Sequence, residues 1–206
     1  MQNDLTASEA APLMGLTDEG LRNKAKRDET PWTEEGRIAG THRRYGVFHL
    51  VGYAAGEMLV AQGLSWSQAA MVMCSVEQNV RNFVEQRGID ETSEKTFVLS
   101  KRQQVFDEFT DGFRWEPVFP ATFGPRPEIE AAISADLGKV GSSRLRSFPA
   151  GGGFKERTIM WHFAPICLDE AYWMARSRAA RCGYRIEGSK ISRIETATTQ
   201  TEAKDA

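Results

Sequence analysis

The strongest constraint on the fold is the order of helical patterns and turn signals across residues 5–73. Two short helical patterns come first, and a longer one opens near Leu50, stops at Gly63 and restarts at Ser65. Between them lies a segment with loop signals that ends in the tripeptide Arg43-Arg44-Tyr45. This order predicts a small helix-turn-helix, a basic hairpin tip and a supporting pair of helices.

Capping residues mark the first two helices. Thr6 or Ser8 can cap a helix over about 7–14. Gly15 then supplies the turn, because a left-handed backbone conformation costs glycine little. Thr17 is a favourable N-cap for a second helix, so the pair predicts a helix-turn-helix.

The second helix has a cationic outer face. Its helical period places Leu21 and Ala25 inward. The basic residues that we expect on the outer face are Arg22, Lys24, Lys26 and Arg27. Phosphates surround the major groove of DNA, so a cationic helix suits that groove, although a solvated helix surface explains the same charges.

The segment after this helix, 29–40, contains the turn-forming residues Pro31, Gly36 and Gly40, which predict a loop or short hairpin. The hairpin tip that follows is basic: His42-Arg43-Arg44-Tyr45. Two adjacent arginines can hold phosphates beside the groove. Tyr45 either donates to a phosphate or packs beneath the hairpin.

Residues 5–73 resemble the winged-helix DNA-binding domain of MerR-type regulators. The positions that carry the resemblance are Leu16-Thr17, Leu21-Arg22, Arg43-Arg44-Tyr45, Leu50 and Gly63-Leu64-Ser65. In that family they mark the start of the second helix, a phosphate-contacting arginine, the end of the wing, the start of the third helix and the next turn. The resemblance implies a winged helix-turn-helix at the N-terminus of an α+β protein.

The resemblance also implies function: a sequence-specific transcriptional regulator that binds double-stranded DNA, forms a homodimer and contacts RNA polymerase. The amide of Asn23 matches the donor and acceptor on the adenine edge. The predicted DNA-binding residues are Thr17, Arg22, Asn23, Lys24, Lys26, Arg27, His42, Arg43, Arg44 and Tyr45.

Two other functions stay open. The same winged fold occurs in phage excisionases and small terminase subunits, so a DNA-binding accessory of a phage or mobile element is one alternative. A protein-interaction module is the second, because the wing segment is acidic at Glu29, Glu34 and Glu35.

The helix that begins at Ser65 has an apolar seam with four-three spacing. Its members are Ala69, Met73, Val76, Val80 and Phe83. Such a seam either pairs two copies of the chain or packs inside one copy.

We divide the chain into a winged-helix domain with its trailing helix (1–88), a linker (89–95), an α+β domain (96–195) and a disordered tail (196–206). For the second domain, apolar spacing and turn residues predict several elements in order. These are a strand over 96–99, a helix over 101–113, a proline-rich irregular segment over 114–127, a helix from Pro127 to Leu137, a flexible turn over 149–153, a strand over 158–163, a helix over 169–182 and a hairpin over 184–194.

The aromatic residues of the second domain allow three interpretations: a domain core, a partner surface, or a pocket for an apolar or cationic effector with Glu116 or Glu170 as counter-charge. They are Trp115, Phe119, Phe123, Trp161, Phe163, Tyr172 and Trp173. The basic run Arg176, Arg178, Arg181 and Arg185 is either a further DNA or partner surface or a solvated helix side.

Composition limits the remaining classes. The chain is 41% hydrophobic and 26% charged with a net charge of −2, which is ordinary for a globular protein. Its three cysteines and three histidines are scattered without ligand spacing, so we expect no metal site, no cofactor and no enzyme activity. No apolar run reaches the roughly 20 residues of a membrane helix, and the N-terminus has no signal-peptide pattern, so we expect a cytoplasmic protein.

Overall fold

The computed structural model describes residues 4–27, 29–33, 44–87, 94–141, 143–147 and 153–194. The helices in these ranges are α1 (Ala7–Leu13), α2 (Asp18–Lys26), α3 (Val47–Ala61), α4 (Trp66–Ser75), α5 (Glu77–Gln86), α6 (Arg126–Leu137) and α7 (Leu168–Arg181). The strands are β1 (Thr96–Asp107), β2 (Gly112–Pro125), β3 (Ser143–Ser147), β4 (Gly153–Cys167), β5 (Tyr184–Glu187) and β6 (Lys190–Arg193). The protein is therefore mixed α+β, as predicted. None of the described helices is long and apolar enough to cross a membrane.

The first two helices begin and end where their caps predict. The Glu9 carboxylate accepts from Thr6 N at 2.9 Å, which closes the first turn of α1. Gly15 provides the turn with a φ of +69°. The Thr17 hydroxyl accepts from Gly20 N at 3.0 Å and so caps α2.

The predicted break between the third and fourth helices is also confirmed. Gly63 has a φ of +89°, which favours glycine, and buried Leu64 follows it. Ser65 then caps α4: its hydroxyl accepts from Gln68 N at 3.2 Å, and the Gln68 side chain accepts from Ser65 N at 3.0 Å.

The helix predicted after Ser65 is two helices, because the chain bends at Val76 between α4 and α5. All five seam residues are buried within this single chain: Ala69, Met73, Val76, Val80 and Phe83. Their burial shows that the seam packs inside one copy, which is one of the two alternatives that the spacing allowed.

Four antiparallel strands form the main sheet in the order β2-β1-β4-β3, and β5 and β6 form a separate hairpin. The predicted helix over 101–113 is wrong. This segment completes β1, turns, and begins β2. Strands β2 and β4 flank β1 on both sides, so long-range backbone pairing decided the conformation of a segment whose apolar spacing also suits a helix.

The predicted irregular segment over 114–127 is wrong as well, since most of it is strand β2. Proline lacks a backbone donor, but β2 is an edge strand that pairs with β1 alone, so the unpaired edge tolerates Pro117 and Pro120. The pairing register shifts between Leu99 and Lys101, opposite the second of these prolines.

The later elements agree better with the predictions. Helix α6 contains Pro127 in its first turn, β4 includes the predicted strand over 158–163, and α7 and the terminal hairpin occupy their predicted positions. Strand β3 was not predicted. Gly153 of the predicted flexible turn begins β4, and the other residues of that turn, most of the linker and the tail lie outside the described residues.

The helices and the sheet share one hydrophobic cluster. Side chains of α3, α4 and α7 pack on one face of the sheet near Val98, Ala164 and Ile166. Helix α6 packs on the opposite face, where Lys101 Nζ lies 3.0 Å from Asp136. No described helix covers the other half of the first face, which includes Arg102, Phe106, Phe113, Trp115 and Met160, and we call this half the open face.

His49 links the first turn of α3 to an aromatic group. Its Nδ1 accepts from Gly46 N at 2.9 Å, and its ring lies 4.9 Å from the ring of Trp32. Burial and the nearby charge of Arg81 lower the pKa of His49 to about 3. The imidazole is therefore neutral in the folded chain at physiological pH.

We predict that His49 makes the protein less stable as the pH falls below the pKa of about 6.5 that it has in the unfolded chain. The unfolded chain binds a proton there and the folded chain does not, so up to about 1.4 kcal/mol of unfolding free energy is lost per pH unit. His49→Gln keeps an acceptor for Gly46 N and cannot titrate. Urea unfolding from pH 7 to 4 should show a steeper loss in the wild type than in H49Q, and equal slopes would contradict the assignment.

Candidate nucleic-acid interface

Helix α2 is fixed by its inner side. Leu21 is fully buried and Ala25 nearly so. Their i, i+4 spacing anchors one side of a nine-residue helix and turns the opposite side to solvent. The apolar period of the sequence is sufficient to predict this orientation.

Four exposed residues on the outer side of α2 and at its C-cap, Arg22, Asn23, Lys26 and Arg27, form what we call the α2 stripe, and the exposed carboxylate of Glu19 lies one turn before Arg22 and Asn23. Arg22 is 67% exposed and pairs with Asp18 at 2.8 Å. An exposed i, i+4 ion pair is worth little in water, so this guanidinium can exchange its partner for a phosphate. Thr17 is exposed at the N-terminus of the same helix, where its hydroxyl serves as the cap.

Lys24 lies beside this stripe and not on it. Its ammonium is 3.9 Å from the centre of the Trp66 ring, and desolvation there lowers its pKa. The indole of Trp66 also donates to the Glu29 carbonyl at 2.6 Å. Lys24 therefore ties α2 to α4, a contact that its position in the sequence does not indicate.

The predicted wing is only partly described. His42 and Arg43 lie outside the described residues, whereas Arg44 is exposed. Tyr45 is 2% exposed, its ring lies 6.0 Å from that of Trp32, and its backbone exchanges two 2.9 Å hydrogen bonds with Leu5. This is the packing role of the two that the sequence allowed. The bridge holds Arg44 beside the start of α1.

The aromatic residues of the second predicted domain lie in different places. Tyr172 is buried under the β5–β6 hairpin, and Trp173 is exposed on α7. Trp161 and Phe163 stack at 6.0 Å on the sheet face that carries α6, whereas Trp115 lies on the opposite face. Glu116, one of the two proposed counter-charges, pairs with Arg114 and Arg144.

The basic run on and after α7 is largely used within the chain. Arg178 pairs with Glu57 of α3 at 2.5 Å, and Arg185 pairs with Glu187. The guanidinium of Arg176 lies 4.8 Å from the ring of Trp173. The partly buried pair with Glu57 favours the structural interpretation for Arg178, whereas the exposed ion pair of Arg185 is worth as little in water as that of Arg22.

The cysteines and histidines are not grouped. Among the residues that the structure describes, no cluster of three or more His, Cys, Asp or Glu side chains could hold a metal ion. Burial raises the pKa of Cys74 to about 11, and its thiol donates to the Thr30 carbonyl at 3.4 Å. This thiol therefore stays protonated at neutral pH.

Of the open-face residues, the sequence interpretation singled out Trp115 as a possible core, pocket or partner residue, but it missed Arg102 and its neighbours on β1. The wrong helix over 101–113 hid the alternation that places every second side chain of β1 on one face. This alternation is the sequence signal that could have identified the face, and it is apparent only when the segment is treated as a strand.

No protein-family model matches this chain, and no curated protein matches it either. The resemblance of residues 5–73 to MerR-type domains stays a prediction.

We predict that Trp66→Phe lowers the free energy of unfolding by about 1 kcal/mol, because the Glu29 carbonyl loses its indole donor. Chemical denaturation measures this change. Trp173→Phe is the control, since this side chain is 53% exposed and should alter stability by less than about 0.5 kcal/mol. Equal effects in the two variants would contradict the role given to Trp66.

Proposed function

We propose that this protein is a sequence-specific regulator of transcription that binds double-stranded DNA through α1 and α2. The observation that carries the proposal is the α2 stripe: three exposed cations and one amide opposite a buried anchor. Helix α2 is nine residues long, and an α-helix with its side chains is about 10–12 Å in diameter, so a major groove about 12 Å wide admits it.

The α2 stripe divides into groups that suit two kinds of contact. Arg22, Lys26 and Arg27 supply positive charge for phosphates, which gives affinity without sequence preference. Asn23 lies between them, and its amide can pair with adenine through one donor and one acceptor. Together they meet the two requirements of specific recognition, affinity from the backbone and discrimination from a base edge.

The described end of the predicted wing consists of Arg44 and Tyr45. Buried Tyr45 packs against Trp32 and pairs with Leu5 through its backbone. Exposed Arg44 directly precedes Tyr45 in the chain. In the proposed complex, His42, Arg43 and Arg44 contact backbone phosphates beside the groove that receives α2. Tyr45 is buried beside Trp32, so it does not contact a phosphate itself.

A homodimer belongs to the proposal, because a helix of this size reads few base pairs. Two copies on two half-sites raise both affinity and specificity, and the site is then palindromic. The resemblance to MerR-type regulators suggests action at promoters.

The decisive experiment is a pulldown of fragmented genomic DNA from the source organism by the purified protein, followed by sequencing. A short palindromic site in promoters is the expected result. The variant Arg22→Ala/Lys26→Ala/Arg27→Ala should lose this enrichment. Enrichment at the end of a phage or mobile element would replace regulation by packaging or recombination, and no enrichment at low salt would contradict DNA binding through α2.

With a DNA duplex that carries the enriched site, we predict that Lys26→Ala weakens binding to all sequences and reduces the slope of log K against log salt by about 0.9.

Asn23→Ala should instead relax the preference at one base pair, at a cost of about 1–3 kcal/mol for the preferred base. Fluorescence anisotropy measures both. Arg126→Ala is the control, because this exposed arginine pairs with Glu130 on α6. An unchanged slope in Lys26→Ala would contradict the phosphate contact.

A further inference from the structure

One face of the main sheet carries α3, α4 and α7 over one of its halves. The open face is the other half, which no described helix covers. Pairing register and strand alternation place its members: paired residues of antiparallel strands share a face, and side chains alternate along each strand. The open face includes Arg102, Gln104, Phe106, Phe113, Trp115, Pro117, Ser143, Lys155, Arg157, Met160 and His162.

This face is unusually apolar for an exposed surface. Phe113 is 64% exposed, Met160 52% and Trp115 42%, and the rings of Phe106 and Phe113 lie 5.2 Å apart. An exposed apolar group of this kind marks an interaction site. The question is what covers it.

Charge identifies the partner. The open face carries the cations Arg102, Lys155 and Arg157, and none of its members is acidic. The acidic residues of the same strand segments, Asp107, Glu116 and Glu156, lie on the opposite face, where Arg114 and Arg144 pair with them. The carboxylates Glu108 and Asp111 lie in the turn beyond the ends of β1 and β2.

Arg102 sits among the rings. Its Nη2 lies 3.2 Å from His162 Nδ1, and its guanidinium lies 5.7 Å from the ring of Trp115, which in turn is 6.2 Å from the His162 ring. A cation held beside exposed rings combines a phosphate contact with surfaces on which flat groups can stack.

We propose that the open face binds single-stranded nucleic acid. Bases stack on Trp115, Phe113 and Phe106, and phosphates contact Arg102, Lys155 and Arg157. Stacking on aromatic side chains together with backbone contacts from cations is how single strands are bound without strong sequence preference. A duplex does not fit, because its bases are already stacked on one another and do not expose their faces.

A second copy of the chain fits this face less well. A two-fold contact would place one open face against another, so Arg102, Lys155 and Arg157 would find no carboxylate on either open face. Like charges opposed in this way disfavour the contact. Nucleic acid supplies the missing negative charge.

The test is fluorescence anisotropy of the full-length protein with labelled single-stranded 12-mers of dT and of U at low salt. We expect binding of at least one oligomer, with a slope of log K against log salt of about −2 for three phosphate contacts. Phe113→Ala/Trp115→Ala should weaken binding at least about tenfold. Trp115→Phe keeps an aromatic ring and should bind nearly as the wild type does.

Two controls separate this site from other effects. Trp173→Ala removes a similarly exposed tryptophan elsewhere and should leave the affinity unchanged. Arg22→Ala/Lys26→Ala/Arg27→Ala should lose duplex binding but keep single-strand binding, so failure of one site is distinguishable from failure of the other. Thermal unfolding confirms that each variant is folded.

Three results would overturn the proposal. The first is that neither oligomer binds at low salt, and the second is equal weakening by Phe113→Ala/Trp115→Ala and Trp173→Ala. The third is a dimer in sedimentation velocity that Phe113→Ala/Trp115→Ala dissociates, which would assign the open face to a second copy. A preference for U over dT would identify RNA as the strand, and the reverse would identify DNA.

Discussion

The packing of α3 and α7 against each other and against one half of the sheet is the contact on which the other features depend. Ala54, Ala55, Ala171 and Ala175 are almost completely buried, and their small side chains suit close approach of helices. Two polar contacts between distant segments reinforce this core: Arg178 with Glu57, and the Gln62 side chain with the Pro165 carbonyl at 2.7 Å. Both proposed binding surfaces are defined by what this core leaves uncovered.

The two surfaces use different physical means. In the proposed duplex complex, the α2 stripe would present exposed charges and one amide to a groove, so its affinity would depend on salt and its specificity on a single base edge. The open face presents rings fixed on a sheet, and the ion pairs of Arg114 and Arg144 on the reverse side keep its strands aligned. One chain would thus carry a duplex site and a single-strand site on separate elements.

Local signals predicted the elements that depend on local chemistry. The turns at Gly15 and Gly63 and the caps at Thr17 and Ser65 were recognisable because each satisfies backbone groups within a few residues. The buried side of α2 followed from Leu21 and Ala25. The strands over 101–125 were not recognisable, because their pairing partners lie far along the chain and prolines on an edge strand resemble loop signals.

The sequence by itself indicated the α+β class, the turns at Gly15 and Gly63, the caps at Thr17 and Ser65 and the cationic side of α2; the turns, the caps and the side of α2 each depend on neighbours within one or two turns. Only the tertiary structure decided that the seam over 69–83 packs internally, that Lys24 lies on Trp66 and that Tyr45 is buried. The tertiary structure also decided which half of the sheet face no described helix covers. These outcomes depend on the packing of segments that are distant in the chain, and no local pattern records which partner a side chain meets.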